Sequence, residues 1–169
     1  MTATALLERE ASATAGKYLT FMLGPETYGI EILRVQEIIG LLPITRLPKV
    51  SEHIRGVINL RGKVIPVMDL SRRFGLPGRE NTPLTCIIVI ELRQDHGSIT
   101  MGMVVDEVSE VIDIAETNIE GAPDLGDAGA SSFLSGMGKL GEKVVILLDV
   151  AKVLEPGARA VLEYQEESQ

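Results

Sequence analysis

GMGKLGEKVVILLDV, residues 136–150, carries the pattern G-x-G-x-x-G at Gly136, Gly138 and Gly141. In a dinucleotide-binding protein those glycines let a tight turn press against a pyrophosphate at the start of a helix. Here they follow GASSFLS and open VVILLDV, a β-branched run that reads as a strand, so the helix that would hold the phosphates is missing. A second stretch, GVINLRGKV, brings Gly56, Gly62 and Lys63 into an arrangement like a phosphate loop. It fails on spacing: five residues separate Gly56 from Gly62, where such a loop has four, and Val64 stands where a Ser or Thr would bind magnesium. The glycines are expected to be turns.

The other reactive groups are few. Cys86 lies inside CIIVI, an apolar setting that disfavours a thiolate and predicts an inert buried thiol. His53, after Ser51 and Glu52, and His96, in RQDHGS, read as surface residues near turns. Two histidines and one cysteine are a poor ligand supply for zinc. The acidic residues Asp106, Glu107, Glu110, Asp113, Glu116 and Glu120 lack the dense loop spacing of a calcium motif and read as a solvated face. Asp69 and Asp149 end apolar runs, where a carboxylate can cap a short helix. No catalytic centre, metal site or cofactor is expected.

The elements that must carry these residues are strands. KYLTFMLG alternates and ends at a Gly24-Pro25 turn; TYGIEILRVQEII reads as a long bent strand or a strand pair. VINLR and KVIPVMDL flank Gly62 as a hairpin, with Pro66 requiring an edge or bulge position because it donates no hydrogen bond. LTCIIVIEL, SITMGMVVDEV, SEVIDI and KVVILLDV follow, with short helical turns after Leu70 and around Val150. GAPDLGDAGASS reads as a loop.

Bulk properties narrow the function. The chain has 169 residues, 45% of them hydrophobic and 24% charged, which is a globular composition. No apolar run reaches the ~18 residues of a membrane-spanning helix, and the N-terminus has no secretory pattern. A single cysteine fits a reducing compartment. A net charge of −8 and 4% aromatics with no tryptophan argue against nucleic acid as a partner. The charge is polarised: residues 30–80 hold nine Lys/Arg against five Asp/Glu, residues 81–169 five against sixteen. Such polarity suits electrostatic orientation of a partner, and equally suits two differently solvated faces.

The chain also repeats itself. GIEILRVQEII from Gly29 aligns without gaps on GMVVDEVSEVI from Gly102, matching Val35 to Val108, Glu37 to Glu110 and Ile39 to Ile112. GVINLRGKVIPVMDLSRRF from Gly56 aligns on GMGKLGEKVVILLDVAKVL from Gly136, matching Leu60 to Leu140, Lys63 to Lys143 and Asp69 to Asp149. The offsets of 73 and 80 differ by a loop insertion.

Two tandem halves of β-hairpins without a catalytic kit suggest a scaffold. YLTFMLG, TYGIEILRVQEI, TRLP, IRGVINLRGKVIPVMDL and GMVVDEVSEVI together resemble the CheW-type chemotaxis coupling proteins over residues 17–154. The resemblance implies an all-β fold of two intertwined five-stranded SH3-like barrels around a shared core, with a few short helices. It implies subdomains near 17–80 and 81–154 with strand exchange; the extension 1–16, read as flexible, and the polar tail 155–169 lie outside the resemblance. It implies a non-catalytic adaptor, cytoplasmic and recruited to membrane-associated receptor arrays without inserting in the membrane. That adaptor would join chemoreceptor cytoplasmic tips to the regulatory domain of a CheA-type histidine kinase. Val35, Glu37 and Arg61 match positions tied to partner contacts, and Gly56, Asn59 and Val108 match neighbouring motif positions. Bottom-up, Arg61 could equally be a turn residue paired to Glu37, Gly56 a purely conformational glycine, and Val108 a core residue. An adaptor for another chemosensory pathway, controlling pili or gene expression, and a small-ligand-binding barrel are the alternatives. The first half has Arg61 where the second has Gly141, so the two halves are not expected to bind alike.

Overall fold

The structure, a computed structural model, describes residues 15–78, 80–94, 97–121 and 133–154. Nearly all of the expected N-terminal extension, the loop 122–132, His96 and the C-terminal tail fall outside these residues. Eleven strands are laid out in chain order. β1 (Gly16–Leu23) and β2 (Glu26–Glu31) form a hairpin, and a 3-10 turn (Ile32–Arg34) leads to β3 (Val35–Gly40). β4 (Ile54–Leu60) and β5 (Lys63–Asp69) form the next hairpin, closed by helix α1 (Leu70–Arg73). β6 (Cys86–Gln94), β7 (Gly97–Val105) and β8 (Glu107–Ile114) precede a 3-10 turn (Glu116–Asn118) and β9 (Ile119–Glu120). β10 (Leu134–Leu140), β11 (Lys143–Leu148) and a helical turn at 150–154 end the fold.

These strands make two sheets, ordered β8-β1-β2-β11-β10-β9 and β3-β6-β7-β5-β4. The hairpin β1–β2 therefore sits beside strands from the far end of the chain, and β6–β7 sits beside β4–β5. The crossing contacts obey the repeat. Gly29 is the parallel partner of Leu147, and its repeat mate Gly102 is the parallel partner of Val67, the mate of Leu147. Each sheet curls until the continuation of its first edge strand meets its last strand. Thr45, downstream of β3, bridges Val57 on β4, and β9, downstream of β8, pairs with β10. The two-residue β9 is why the first sheet counts six strands, not five.

Strand alternation then sends side chains to two different interiors. On β6, Ile87 and Val89 join Ile58, Ile65, Val67 and Val104 inside the first barrel. Their neighbours Ile88, Ile90 and Leu92 join Leu19, Phe21 and Leu23 of β1 in a third cluster shared by both sheets. Tyr18, Ile114, Val145 and Leu147 fill the second barrel. A strand packed on both faces must be apolar throughout, which explains CIIVI. The first barrel interior is filled by aliphatic chains, and the second by aliphatic chains with Tyr18.

Three local expectations change. Of the three glycines in GMGKLGEK only Gly141 (φ 63) is a turn glycine; Gly136 and Gly138 lie within β10, as Gly56 lies within β4, and a Cβ on Gly138 would come within 2.8 Å of Ile114. SITMGMVVDEV, expected as one strand, breaks at Asp106, where the chain crosses between sheets; TYGIEILRVQEII takes the strand-pair form of its two expected ones, parted by the 3-10 turn. Pro66 lies in an inner strand. Val57, opposite it, directs its N–H and C=O to Thr45 (2.8 Å each), away from Pro66, and the pairing of β5 with β7 begins only at Val67. No ladder bond is lost there.

Asp69 and Asp149 cap their helices as expected, accepting hydrogen bonds from the backbone N–H of Arg72 and Lys152 (3.2 Å each). Asp69 also takes an ion pair from the largely buried Arg55 (3.1 Å), whose repeat position is Ser135. Asp69→Ala therefore removes a cap and strands a cation, for a loss of about 3 kcal/mol, whereas Asp149→Ala removes a cap alone, about 1 kcal/mol. Urea unfolding of both variants checks the difference.

Candidate functional site

The β4–β5 hairpin closes through Arg61 and Gly62 alone, since Leu60 pairs with Lys63. Both turn residues have positive φ, 52° and 86°, the signature of a type I′ turn, which fits the right-handed twist of the strands. Gly62 accepts that conformation freely. Arginine does not: its Cβ crowds the following carbonyl, at a cost of about 1–2 kcal/mol. Asn59 steadies the turn by accepting a hydrogen bond from the Gly62 N–H at 2.8 Å.

From this tip the Arg61 guanidinium reaches back to the carboxylate of Glu37 on β3 and forms an ion pair. The arginine side chain stays 69% exposed, the glutamate 25%. An exposed pair of this kind is worth about 0–1 kcal/mol, less than the strain of the turn. The mate of Arg61, Gly141, also has positive φ (63°) and carries no side chain, but Glu142 after it does not, so the second hairpin closes through a turn of another type.

Gly56 has a different task. Its φ is 149°, and a Cβ there would lie 2.1 Å from the Thr45 carbonyl oxygen. The bare backbone lets the segment after β3 close against β4, opposite a bulge between Ile54 and Gly56. Val35 and Val108, repeat mates, are both half-buried against the shared cluster, each at the start of an edge strand. The structure thus gathers Glu37, Asn59, Arg61 and Gly56 on one barrel, puts Val35 two residues before Glu37, and places Val108 in the other sheet. Cys86 lies near Val108, its thiol pushed up by burial despite a hydrogen bond to the Val108 backbone, so it is a poor nucleophile.

Outward-facing apolar residues were not singled out by the sequence reading. Ile38 and Val64 on the first barrel are 43% and 62% exposed, and their repeat mates Val111 and Val144 on the second are 48% and 50% exposed. The same two positions in each half are apolar on the solvent side. Strand phase carried the signal: in VQEIIG, Val35, Glu37 and Ile39 face in while Ile38 faces out. The charge polarity survives the hairpin exchange. Among the described residues, 34–105 hold nine basic against five acidic side chains, while 17–31 with 106–154 hold four against ten.

A pair of fused barrels whose outer faces carry the Arg61 tip and matched exposed apolar positions has the build of a scaffold. Comparison with known proteins gives the family. The family model "CheW-like domain" matches residues 17–156, and the chain belongs to the CheW family. It is 37% identical over 164 residues to the chemotaxis protein CheW of Klebsiella aerogenes, covering 96% of each chain. It is 36% identical over 142 residues to CheW of Bacillus subtilis, covering 84% of this chain and 88% of that one. The crystal structure of the scaffolding protein TtCheW from Thermoanaerobacter tengcongensis superposes with a TM-score of 0.74 at 37% identity, over 84% of this chain and 94% of that one. The protein is a non-catalytic chemotaxis adaptor with the SH3-like double barrel expected. Among the described residues, no helix is long and apolar enough to cross a membrane.

Proposed function

We propose that the protein couples the cytoplasmic tips of chemoreceptors to a CheA-type histidine kinase, meeting the kinase through its regulatory domain, and that it is held at the membrane only through the receptors. The observation that carries this reading is Arg61. A long cation is kept in a strained turn, at an exposed tip, where the other half of the repeat uses glycine. A side chain retained against local preference is best explained by what it touches outside the molecule. Glu37 orients the guanidinium, and the free guanidinium donors offer a planar fork to a carboxylate or carbonyl on a partner.

The apolar pairs Ile38/Val64 and Val111/Val144 supply dry contact area, one pair for each barrel, and the opposite charge of the two barrels favours end-to-end docking with a partner of similar build. The test is a pull-down with the kinase and with the same kinase lacking its regulatory domain. Capture of the full kinase and loss of capture on deletion is expected. Equal capture of both would overturn the assignment of the kinase contact.

A further inference from the structure

The two halves of the molecule meet at a contact that the repeat does not match. Arg73, the last residue of α1, and Phe74 after it align on Val153 and Leu154 of the closing helical turn. Phe133 aligns on His53, and the backbones agree: the Phe133 carbonyl accepts from the Asp149 N–H at 2.9 Å, the His53 carbonyl from the Asp69 N–H at 2.8 Å. Phe74, carried by the first barrel, lies between two rings of the second, Tyr28 at 5.7 Å and Phe133 at 5.6 Å between centroids. Arg73 closes this stack. Its guanidinium carbon stands 4.2 Å from the Phe133 ring centroid, and its Nε donates to the Val153 carbonyl at 3.2 Å. A bond between a residue and its own repeat mate lies at the pseudo-two-fold axis relating the barrels. It has no counterpart, because Val153 has no side-chain donor with which to return it. Arg73 is half-buried, burial pulls its pKa down, and among the described residues no carboxylate lies within ion-pair distance of it. A guanidinium stays charged at any working pH, so the ring face and the carbonyl compensate this cation.

We propose that Arg73 fixes the angle between the two barrels, and with it the geometry in which partners bound to them face each other. The sheets share no strand; the shared cluster packs them and the chain crosses between them. Apolar packing is non-directional and admits small sliding movements. A cation over a ring face and a bond to a carbonyl each define a position, and both contacts of Arg73 join the first barrel to the second. Rings and charge stand on one side of the axis only, since the mates of Arg73, Phe74 and Tyr28 are Val153, Leu154 and Met101. An adaptor that meets partners through both barrels transmits between them only while the barrels keep a set angle. This inference rests on the coupling role proposed above, and within that role Arg73 is a positioning residue that touches neither partner.

The experiment has two arms, applied to the full chain and to Arg73→Met and Arg73→Lys. In the first, spin labels at the exposed positions Ser98→Cys on β7 and Ser109→Cys on β8, in a Cys86→Val background, report the separation of the barrels. One narrow distance distribution is expected without a change at Arg73. Arg73→Met, which keeps apolar packing over Phe133 but loses charge and donor, should broaden or shift it while melting within about 5 °C of the wild type. Arg73→Lys keeps a cation over the ring and should move the distribution back. In the second arm, Arg73→Met is expected to bind a soluble receptor-tip fragment and the kinase regulatory domain, each alone, within about threefold of the wild type. Receptor-dependent kinase activity should nevertheless fall about tenfold, and Arg73→Lys should recover most of it. An unchanged distribution in Arg73→Met, or activation at the wild-type level, would overturn the inference. A tenfold loss of affinity for either partner would overturn it too, since Arg73 would then act by contact or through folding. Failure of lysine to rescue would show that the cation is not what holds the barrels. Failure of the wild type to couple receptor and kinase would instead sink the coupling role, with the distance arm still deciding whether Arg73 fixes the angle.

Discussion

Arg61→Gly is expected to leave the protein as stable as the wild type, or more stable by up to about 1 kcal/mol, while abolishing receptor-dependent activation of the kinase. The two halves of this expectation come from opposite properties of one residue. Glycine relieves the left-handed backbone at the hairpin tip, as Gly141 does in the other barrel, and the lost ion pair to Glu37 is exposed and weak. The same change deletes the guanidinium that the coupling role places at a partner. Arg61→Glu should abolish activation equally while costing under about 1 kcal/mol, since it sets two carboxylates near each other on a solvated surface. The double variant Glu37→Arg with Arg61→Glu rebuilds an internal pair of reversed order. It is expected to recover stability but not activation. Full recovery of activation would show that the pair serves only to brace the barrel, and Arg61 would leave the interface.

Gly56→Ala is expected to produce the largest loss of stability of any single methyl addition in the described chain, about 3–5 kcal/mol, from backbone strain and overlap together. The added Cβ would meet the Thr45 carbonyl at 2.1 Å, and neither atom can turn aside because both belong to the backbone that closes the first barrel. Set against a total stability of about 5–15 kcal/mol, this leaves the variant marginal. The melting temperature should fall by about 10 °C or more. Gly40→Ala is the control: its Cβ would meet nothing within 4 Å and its φ is unexceptional, so its midpoint should stay near that of the wild type. A Gly56→Ala protein that melts with the wild type would mean that the segment carrying Thr45 does not close against β4 in solution.

The contrast between these two positions bears on what could be read from the chain alone. The internal repeat was visible because the duplicated β units keep strand glycines (Gly29/Gly102 and Gly56/Gly136), capping carboxylates and core alternation, and it placed Asp69 and Asp149 at their helix caps, whereas Gly56, expected at a turn, lies within β4. It could not say that each half gives its hairpin to the other. That exchange depends on the parallel meeting of Gly29 with Leu147 and of Gly102 with Val67, contacts between residues more than thirty positions apart with no local signature. The 3-10 turn at Ile32–Arg34 was hidden for a related reason: GIEILRVQEI has β-branched residues on both sides of the break, and only the need to cross from one sheet to the other breaks it.

On the surface, motif resemblance pointed to Arg61 and Glu37, and the structure joins them. The motif reading passed over the outward pairs Ile38/Val111 and Val64/Val144, because an apolar residue within an apolar strand pattern looks like core until its phase is fixed. The glycines of GMGKLGEK illustrate the converse. Spacing alone suggested turns for all three, and the sheet uses two of them as strand residues, one where Ile114 packs too near to admit a side chain.

The central claim is that this molecule acts by joining two other proteins. It is tested most directly by autophosphorylation of a CheA-type kinase mixed with a chemoreceptor-tip assembly, with and without the purified protein. Kinase activity is expected to depend on the receptor assembly only when the protein is present, and to lose that dependence with Arg61→Gly. Receptor-dependent activity of equal size in its absence would contradict the claim.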